Sequence, residues 1–186
     1  MKPFLTITSK ITPFPEPNVD TDQIIPKQFL KLVTRSGFGK YLFFDRRGPN
    51  FVLDNSLYRG SKVLVAGDNF GCGSSREHAV WALQDFGFAV IISTSFADIF
   101  YSNCIKNGIL PIHTPDTHTL FSEENSITVS LQDQVIRHTS GVIHFEIDPH
   151  HKTTLLEGLD DISRTLKYDD MITLFEQNSP TPSVLL

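Results

Sequence analysis

KVLVAGDNFGCGSSREHAVWALQDFGFAVIISTSFADIFYSNCIKNGILPI, residues 62–112, carries the most regular pattern in the chain. Lys62 to Ala66, Ala89 to Ser93 and Ile109 to Ile112 are short apolar runs rich in β-branched residues, each of the length of a buried strand. Between the first two, Arg76 to Phe86 places Ala79, Val80, Ala82, Leu83 and Phe86 on one stripe of helical spacing. Between the second and third, Ala97 to Asn107 reads as a helix stopped by Gly108. Strand, helix, strand, helix, strand with short links predicts a βαβαβ unit built on a parallel sheet.

Away from this core the signals weaken. Four prolines fall within the first 17 residues, so that stretch is expected to hold short edge strands and loops, with Phe4 to Ile7 as a first strand. Residues 27–50 interleave Lys27, Lys31, Arg35, Lys40, Arg46 and Arg47 with Phe29, Phe38, Phe43 and Phe44. That mixture predicts a helical turn leading into a mobile, basic loop. Residues 114–150 switch to period two at Ile127 to Leu131 and Val142 to Ile147, which predicts a small additional antiparallel β layer. Helical spacing returns over 153–178, and the tail 179–186 is expected to fray. The whole chain, 1–186, reads as a single α/β domain.

Composition excludes several classes of function. With 16 Lys+Arg against 21 Asp+Glu the formal net charge is −5, which speaks against a nucleic-acid or anionic-membrane footprint. No run of about 18 apolar residues occurs, so no membrane span is expected. MKPFLTITSK lacks the basic and apolar regions of a signal peptide. With Cys72 and Cys104 as its only cysteines, the chain has neither a disulfide framework nor enough thiolates for an iron–sulfur cluster of its own. Free thiols without an export signal fit a reducing, cytoplasmic setting.

Chemistry concentrates in 67–79, Gly-Asp-Asn-Phe-Gly-Cys-Gly-Ser-Ser-Arg-Glu-His-Ala. A glycine-rich turn, two serines and an arginine at a helix start offer backbone N–H groups, hydroxyls and a guanidinium fork to a carboxylate or phosphate. Gly71-x-Gly73 lacks the third glycine of a dinucleotide fingerprint, and no Gly-Lys-Ser/Thr follows. The order of residues also fails the nucleophile elbow. A purely structural role is available: Ser74 capping the helix, with Glu77 completing a capping box.

Other residues carry weaker signals. Asp20-Thr21-Asp22 reads as a general acid/base or metal pair, or as an Asx turn. Cys72 is read as a turn filler and Cys104 as core. His78 reads as a helix-start histidine bonded to its surroundings, and His144, His150 and His151 as surface residues without metal-ligand partners.

FGCGSSREHA at 70–79, NVDTDQIIPK at 18–27, TRSGFGK at 34–40 and SFADIF at 95–100 occur in that order, and together they resemble the aconitase/isopropylmalate isomerase family of hydro-lyases in its swivel, or small-subunit, domain. The resemblance runs from about Phe4 to Glu176. It implies a swivelling β/β/α domain that closes over a 4Fe-4S cluster held by a separate large subunit, with no cluster and no metal bound by this chain. The implied reaction dehydrates and rehydrates a small dicarboxylate, shifting a hydroxyl between 2-isopropylmalate and 3-isopropylmalate. Ser74 matches the family's proton-abstracting base, Ser75 and Arg76 match substrate-carboxylate positions, and Asp22 matches a polar substrate-site residue. The segment 27–47, with Phe29, Leu30, Leu32 and Phe38 among its basic residues, is expected to select the substrate. Here Val80 stands where a proline is frequent, and Arg47 follows Arg46 where an aromatic–Arg pair is common. Related hydro-lyases acting on homoaconitate or citraconate, and a non-catalytic anion-binding domain, are the alternative readings.

Overall fold

The computed structural model describes residues 1–31 and 34–179. Leu32 and the expected fraying of 180–186 lie outside the described residues. The N-terminal stretch forms two strands, β1 (Ile7–Ser9) and β2 (Ile11–Phe14), followed by the short helix α1 (Thr21–Ile24). A run of 3-10 turns from Lys27–Lys31 to Ser56–Tyr58 then leads to the regular part of the chain. That part is β3 (Val63–Ala66), α2 (Glu77–Phe86), β4 (Val90–Ser93), α3 (Asp98–Asn107) and β5 (Leu110–His113). Helix α4 (Thr117–Phe121) precedes strands β6 (Ile127–Ser130), β7 (Val135–His138) and β8 (Gly141–His144). Helices α5 (Pro149–Glu157), α6 (Asp161–Leu166) and α7 (Asp169–Asn178) complete the described fold.

Strands β2-β3-β4-β5 form a parallel sheet in that order, with Ile11 beside Val63, Val63 beside Val90 and Val90 beside Leu110. Because strand order follows chain order, crossovers of one hand place α2 and α3 on the same face. Every residue of β3 and β4 is buried, as a sheet covered on both sides requires. The alternation of side chains then divides the core. Leu64, Ala66 and Ile91 pack with Ala79, Leu83 and Cys104 beneath the helices. Val63, Val65, Val90, Ile92 and Ile112 pack against Ile127, Val129 and Ile136 of the second sheet. That sheet, ordered β1-β6-β7-β8, is antiparallel throughout. The expected α/β architecture is therefore present as three layers, antiparallel sheet, parallel sheet and helices.

Several local expectations need correction. The first strand begins only at Ile7 and belongs to the antiparallel sheet; Phe4 instead donates its backbone N–H to the Leu155 carbonyl at 2.8 Å. Strand β2 escaped notice because it contains Pro13, which the sheet tolerates there because β2 is an edge strand. Strand β7 carries a weak sequence signal as well, since only Val135 and Ile136 of its four residues are buried. The C-terminal helical pattern is broken at Gly158, which takes φ +66°. Finally, helix α2 starts at Glu77 with Arg76 as its N-cap and no side-chain cap bond, so no Ser74–Glu77 capping box forms.

Much of the basic segment is docked on the body. Phe38, Leu42 and Phe43 are fully buried in the helix-side core. The Asp85 carboxylate accepts the backbone N–H groups of Gly37 and Phe38 at 2.7 and 2.9 Å. At Gly39 a Cβ would lie 2.7 Å from the Asp85 carbonyl carbon, so no larger residue fits that approach.

Candidate active site

The loop between β3 and α2 leaves the carboxyl end of a parallel strand, where open α/β sheets place their ligands. Two segments distant in sequence hold it. On one side Asn18 donates to the Asp68 carbonyl (2.8 Å), Gly71 to that of Val19 (2.8 Å) and Thr21 to that of Cys72 (2.9 Å). On the other, Phe70 donates to the Ser95 carbonyl (3.1 Å) and Ala97 to that of Phe70 (3.2 Å). Asp68 accepts hydrogen bonds from the Ser95 and Thr94 hydroxyls, and the Ser95 bond above all holds its carboxyl below the usual range. Gly71, at φ +78°, lies so close to the Phe100 ring that a Cβ would fall 2.1 Å from Cγ. Glycine there is a steric requirement.

Ser74, Ser75 and Arg76 emerge together from this loop and line one cavity of about 230 Å³, bounded across the gap by Asp98 and Ile99 at the start of α3. The N-termini of α2 and α3 thus meet at the same hollow, each bringing unsatisfied N–H groups and partial positive charge. Arg76 is only 16% exposed and forms an ion pair through Nη1 with Asp22 Oδ1. Asp22, 51% exposed, reaches the site through that guanidinium. Asp20 caps α1, its Oδ1 accepting the Gln23 N–H at 2.7 Å, which is the turn role its sequence allows. Larger hollows occur beside Arg35 and Lys106 (about 610 Å³) and among α5, α6 and α7 (about 500 Å³). Neither includes a residue of the 67–76 loop.

The basic segment contributes less free charge than its composition promises. Arg35 stacks on Trp81, 4.2 Å from the ring centroid, and donates to Asn107 Oδ1 at 2.6 Å. Arg46 donates from Nη2 to both carboxylate oxygens of Glu16 at 2.6 and 2.7 Å. Arg47 pairs with Asp54 and donates to the Leu42 carbonyl at 3.1 Å, so it serves as an anchor for this segment. None of the three lines the Ser74 cavity. His78 packs against Phe38 and Trp81, and burial above all lowers its pKa, favouring the neutral ring. Thr21, Ile99 and Asn103 line the cavity and were not singled out from sequence. Thr21 was visible only as the middle of an acidic triplet, whereas an exposed isoleucine at a helix start carries no distinguishing signal at all.

Residues 1–117 match the family model described as the aconitase C-terminal domain. Across 186 aligned residues the chain is 53% identical to the 3-isopropylmalate dehydratase small subunit of Acidobacterium capsulatum, covering 95% of this chain and 90% of that protein. It is 50% identical to the protein of the same name from Paramagnetospirillum magneticum, with 98% of each chain covered. The chain belongs to the 3-isopropylmalate dehydratase small-subunit family. A crystal structure of 3-isopropylmalate dehydratase from Methanocaldococcus jannaschii, 29% identical, superposes with a TM-score of 0.71 over 92% of this chain and 99% of that one. The three-layer fold is thus shared with that structure at 29% identity.

The family's iron–sulfur chemistry does not fit the donors of this small subunit. A four-iron cluster takes thiolate ligands, and the chain has two cysteines. Of these, Cys104 is fully buried beneath the helices, and burial pushes its thiol well above the ordinary range. Among the described residues, no three His, Cys, Asp or Glu side chains converge as metal ligands. Nor is any described helix long and apolar enough to cross a membrane.

Proposed function

We propose that this chain is the small subunit of an isopropylmalate isomerase, interconverting 2-isopropylmalate and 3-isopropylmalate in leucine biosynthesis together with a larger subunit that holds a 4Fe-4S cluster. The observation that carries the reading is the convergence of Ser74, Ser75 and Arg76 on one small hollow where α2 and α3 both begin. A hollow of about 230 Å³ is small for a complete ligand site, which suits one wall of a site completed by a partner.

Each residue then has a defined task. Ser74 takes the proton from the substrate carbon adjoining a carboxylate. A serine oxygen is basic enough for this only when its anionic form is stabilised. Well-placed donors supply about 3 kcal/mol each, so two of them give roughly four powers of ten. The Ser75 hydroxyl and the Arg76 fork hold a substrate carboxylate, and lysine lacks that planar, two-point geometry. Asp22 engages Nη1 of Arg76 and leaves the remaining N–H groups of the fork for the substrate. A cluster held by the larger subunit would supply Lewis-acid chemistry to the departing hydroxyl. Phe29 and Leu30, partly buried at the edge of the helix-side core, offer apolar contact to an isopropyl group, with Lys27 and Lys31 beside them in the same turn. Swivelling of the whole domain during closure, mobility within 27–47, and a cytoplasmic setting belong to the same proposal.

Co-expression with the cysteine-bearing large subunit tests it. The Ser74→Ala complex is expected to assemble normally and to lose turnover of 2-isopropylmalate by about 10³-fold or more. Near-wild-type turnover by that variant overturns the assignment of Ser74. In a substrate panel, preference for homoaconitate or citraconate makes the chain part of a related hydro-lyase. Tight dicarboxylate binding by the lone chain, with no partner retained, makes it a binding module.

A further inference from the structure

We infer that Thr21 is a positioning residue for Ser74, an inference that rests on the proposed role of Ser74 as the base. Thr21 is 2% exposed and grips the loop at two points. Its backbone N–H donates to the Cys72 carbonyl at 2.9 Å, and its Oγ1 donates to the Ser74 carbonyl at 2.8 Å. These two acceptors stand on either side of Gly73, which takes φ +86° with Asp20 Cβ 3.4 Å from where its own Cβ would be. Peptide units are planar, so holding the carbonyls of residues 72 and 74 holds the 72–73 and 74–75 peptide planes, one before Gly73 and one after Ser74. The Ser74 Cα, bonded directly to one of the held carbonyls, is thereby restrained at the cavity that Ser74 lines.

Thr21 is itself held firmly. Its carbonyl accepts the Ile25 N–H at 3.0 Å, Ile24 and Ile25 are fully buried, and the Ile24 carbonyl accepts the Phe43 N–H at 2.8 Å. The clamp therefore ties the catalytic loop to a rigid part of the core. With no cap bond from Ser74 to α2, the Thr21 hydroxyl is, among the described residues, the side chain that holds the Ser74 backbone. Removing it leaves the Ser74 carbonyl without that donor and lets the serine drift, and displacement of a reacting group by about 1 Å costs on the order of 10²-fold in rate.

The test compares Thr21→Val, which keeps shape but removes the donor, with Thr21→Ser, which keeps the donor, in the complex with the large subunit. The readouts are kcat and KM for 2-isopropylmalate, thermal stability and subunit assembly. Thr21→Val is expected to lower kcat by about 10- to 100-fold with KM changed less than about threefold, since Ser75 and Arg76 remain. Thr21→Ser is expected to restore kcat to within about threefold of wild type. Wild-type kcat in Thr21→Val, alongside an inactive Ser74→Ala complex, overturns the positioning role while leaving the proposed function standing. Equal losses in both Thr21 variants that follow their thermal stability overturn it in favour of simple structural support. Activity in Ser74→Ala removes the reading beneath the inference, and the inference with it.

Discussion

Cys72 and Cys104 occupy opposite environments, and that contrast is measurable. Cys72 sits half-buried in the loop before Ser74, whereas Cys104 lies among Leu83, Phe100 and Ile109 with its thiol pushed up by desolvation. Thiolate is the reactive form, and access controls the rest. Brief treatment of the native protein with iodoacetamide is therefore expected to label Cys72 alone. Cys104 is expected to react only after denaturation, as peptide mass spectrometry would read. Labelling of Cys104 first would place the helix-side core wrongly. The sequence had assigned both thiols structural roles, and burial alone separates their chemistry.

At the scale of elements, the loop between β3 and α2 is held by close approach as much as by hydrogen bonds. Gly71 takes φ +78° and would meet the Phe100 ring if it carried a Cβ. Left-handed backbone at a non-glycine residue costs roughly 1–2 kcal/mol, and overpacking a core a further 1–3 kcal/mol. Gly71→Ala is thus expected to destabilise the chain by about 3 kcal/mol, read as a lower urea midpoint, and to lose activity as the loop shifts. An unchanged midpoint would mean that loop and α3 do not pack as described. The glycine richness of 67–73 was legible from sequence, and its use for close approach followed from chemistry. The identity of the opposing ring was not, because Phe100 is one of 15 phenylalanines and spacing does not say which one faces the loop. The basic segment shows the same limit. Its charge was plain, but the docking of Phe38, Leu42 and Phe43 and the pairing of Arg46 depend on distant neighbours such as Asp85, 47 residues from Phe38, and Glu16, 30 residues from Arg46.

The whole molecule divides its stability unevenly. The two core clusters lie on the two faces of the parallel sheet, and α7 contributes no buried residue to either. Met171, Leu174 and Phe175 on α7 are largely exposed, Phe175 at 71%. Removal of residues 169–186 is expected to lower the melting temperature of the lone chain by no more than a few degrees, since little apolar area is lost from the core. A cooperative loss of folding in that truncation would show that α7 supports the body. By contrast, truncating Leu83 or Ile91, both fully buried, to alanine is expected to cost about 2–5 kcal/mol, measured by urea denaturation.

Local periodicity determined the parallel unit from Val63 to His113, because the alternation of apolar runs and helical stripes is written in adjacent residues. The same local chemistry marked Ser74, Ser75 and Arg76 as a candidate anion site, with helix capping as the other role open to Ser74. Only the tertiary structure decided what those residues touch. It placed β2 beside β3, set Asp22 on Arg76, and brought Thr21 to the Ser74 carbonyl across 53 positions of sequence. Such contacts arise when separate elements pack around a shared core, and their geometry has no signature in the spacing of the residues that make them.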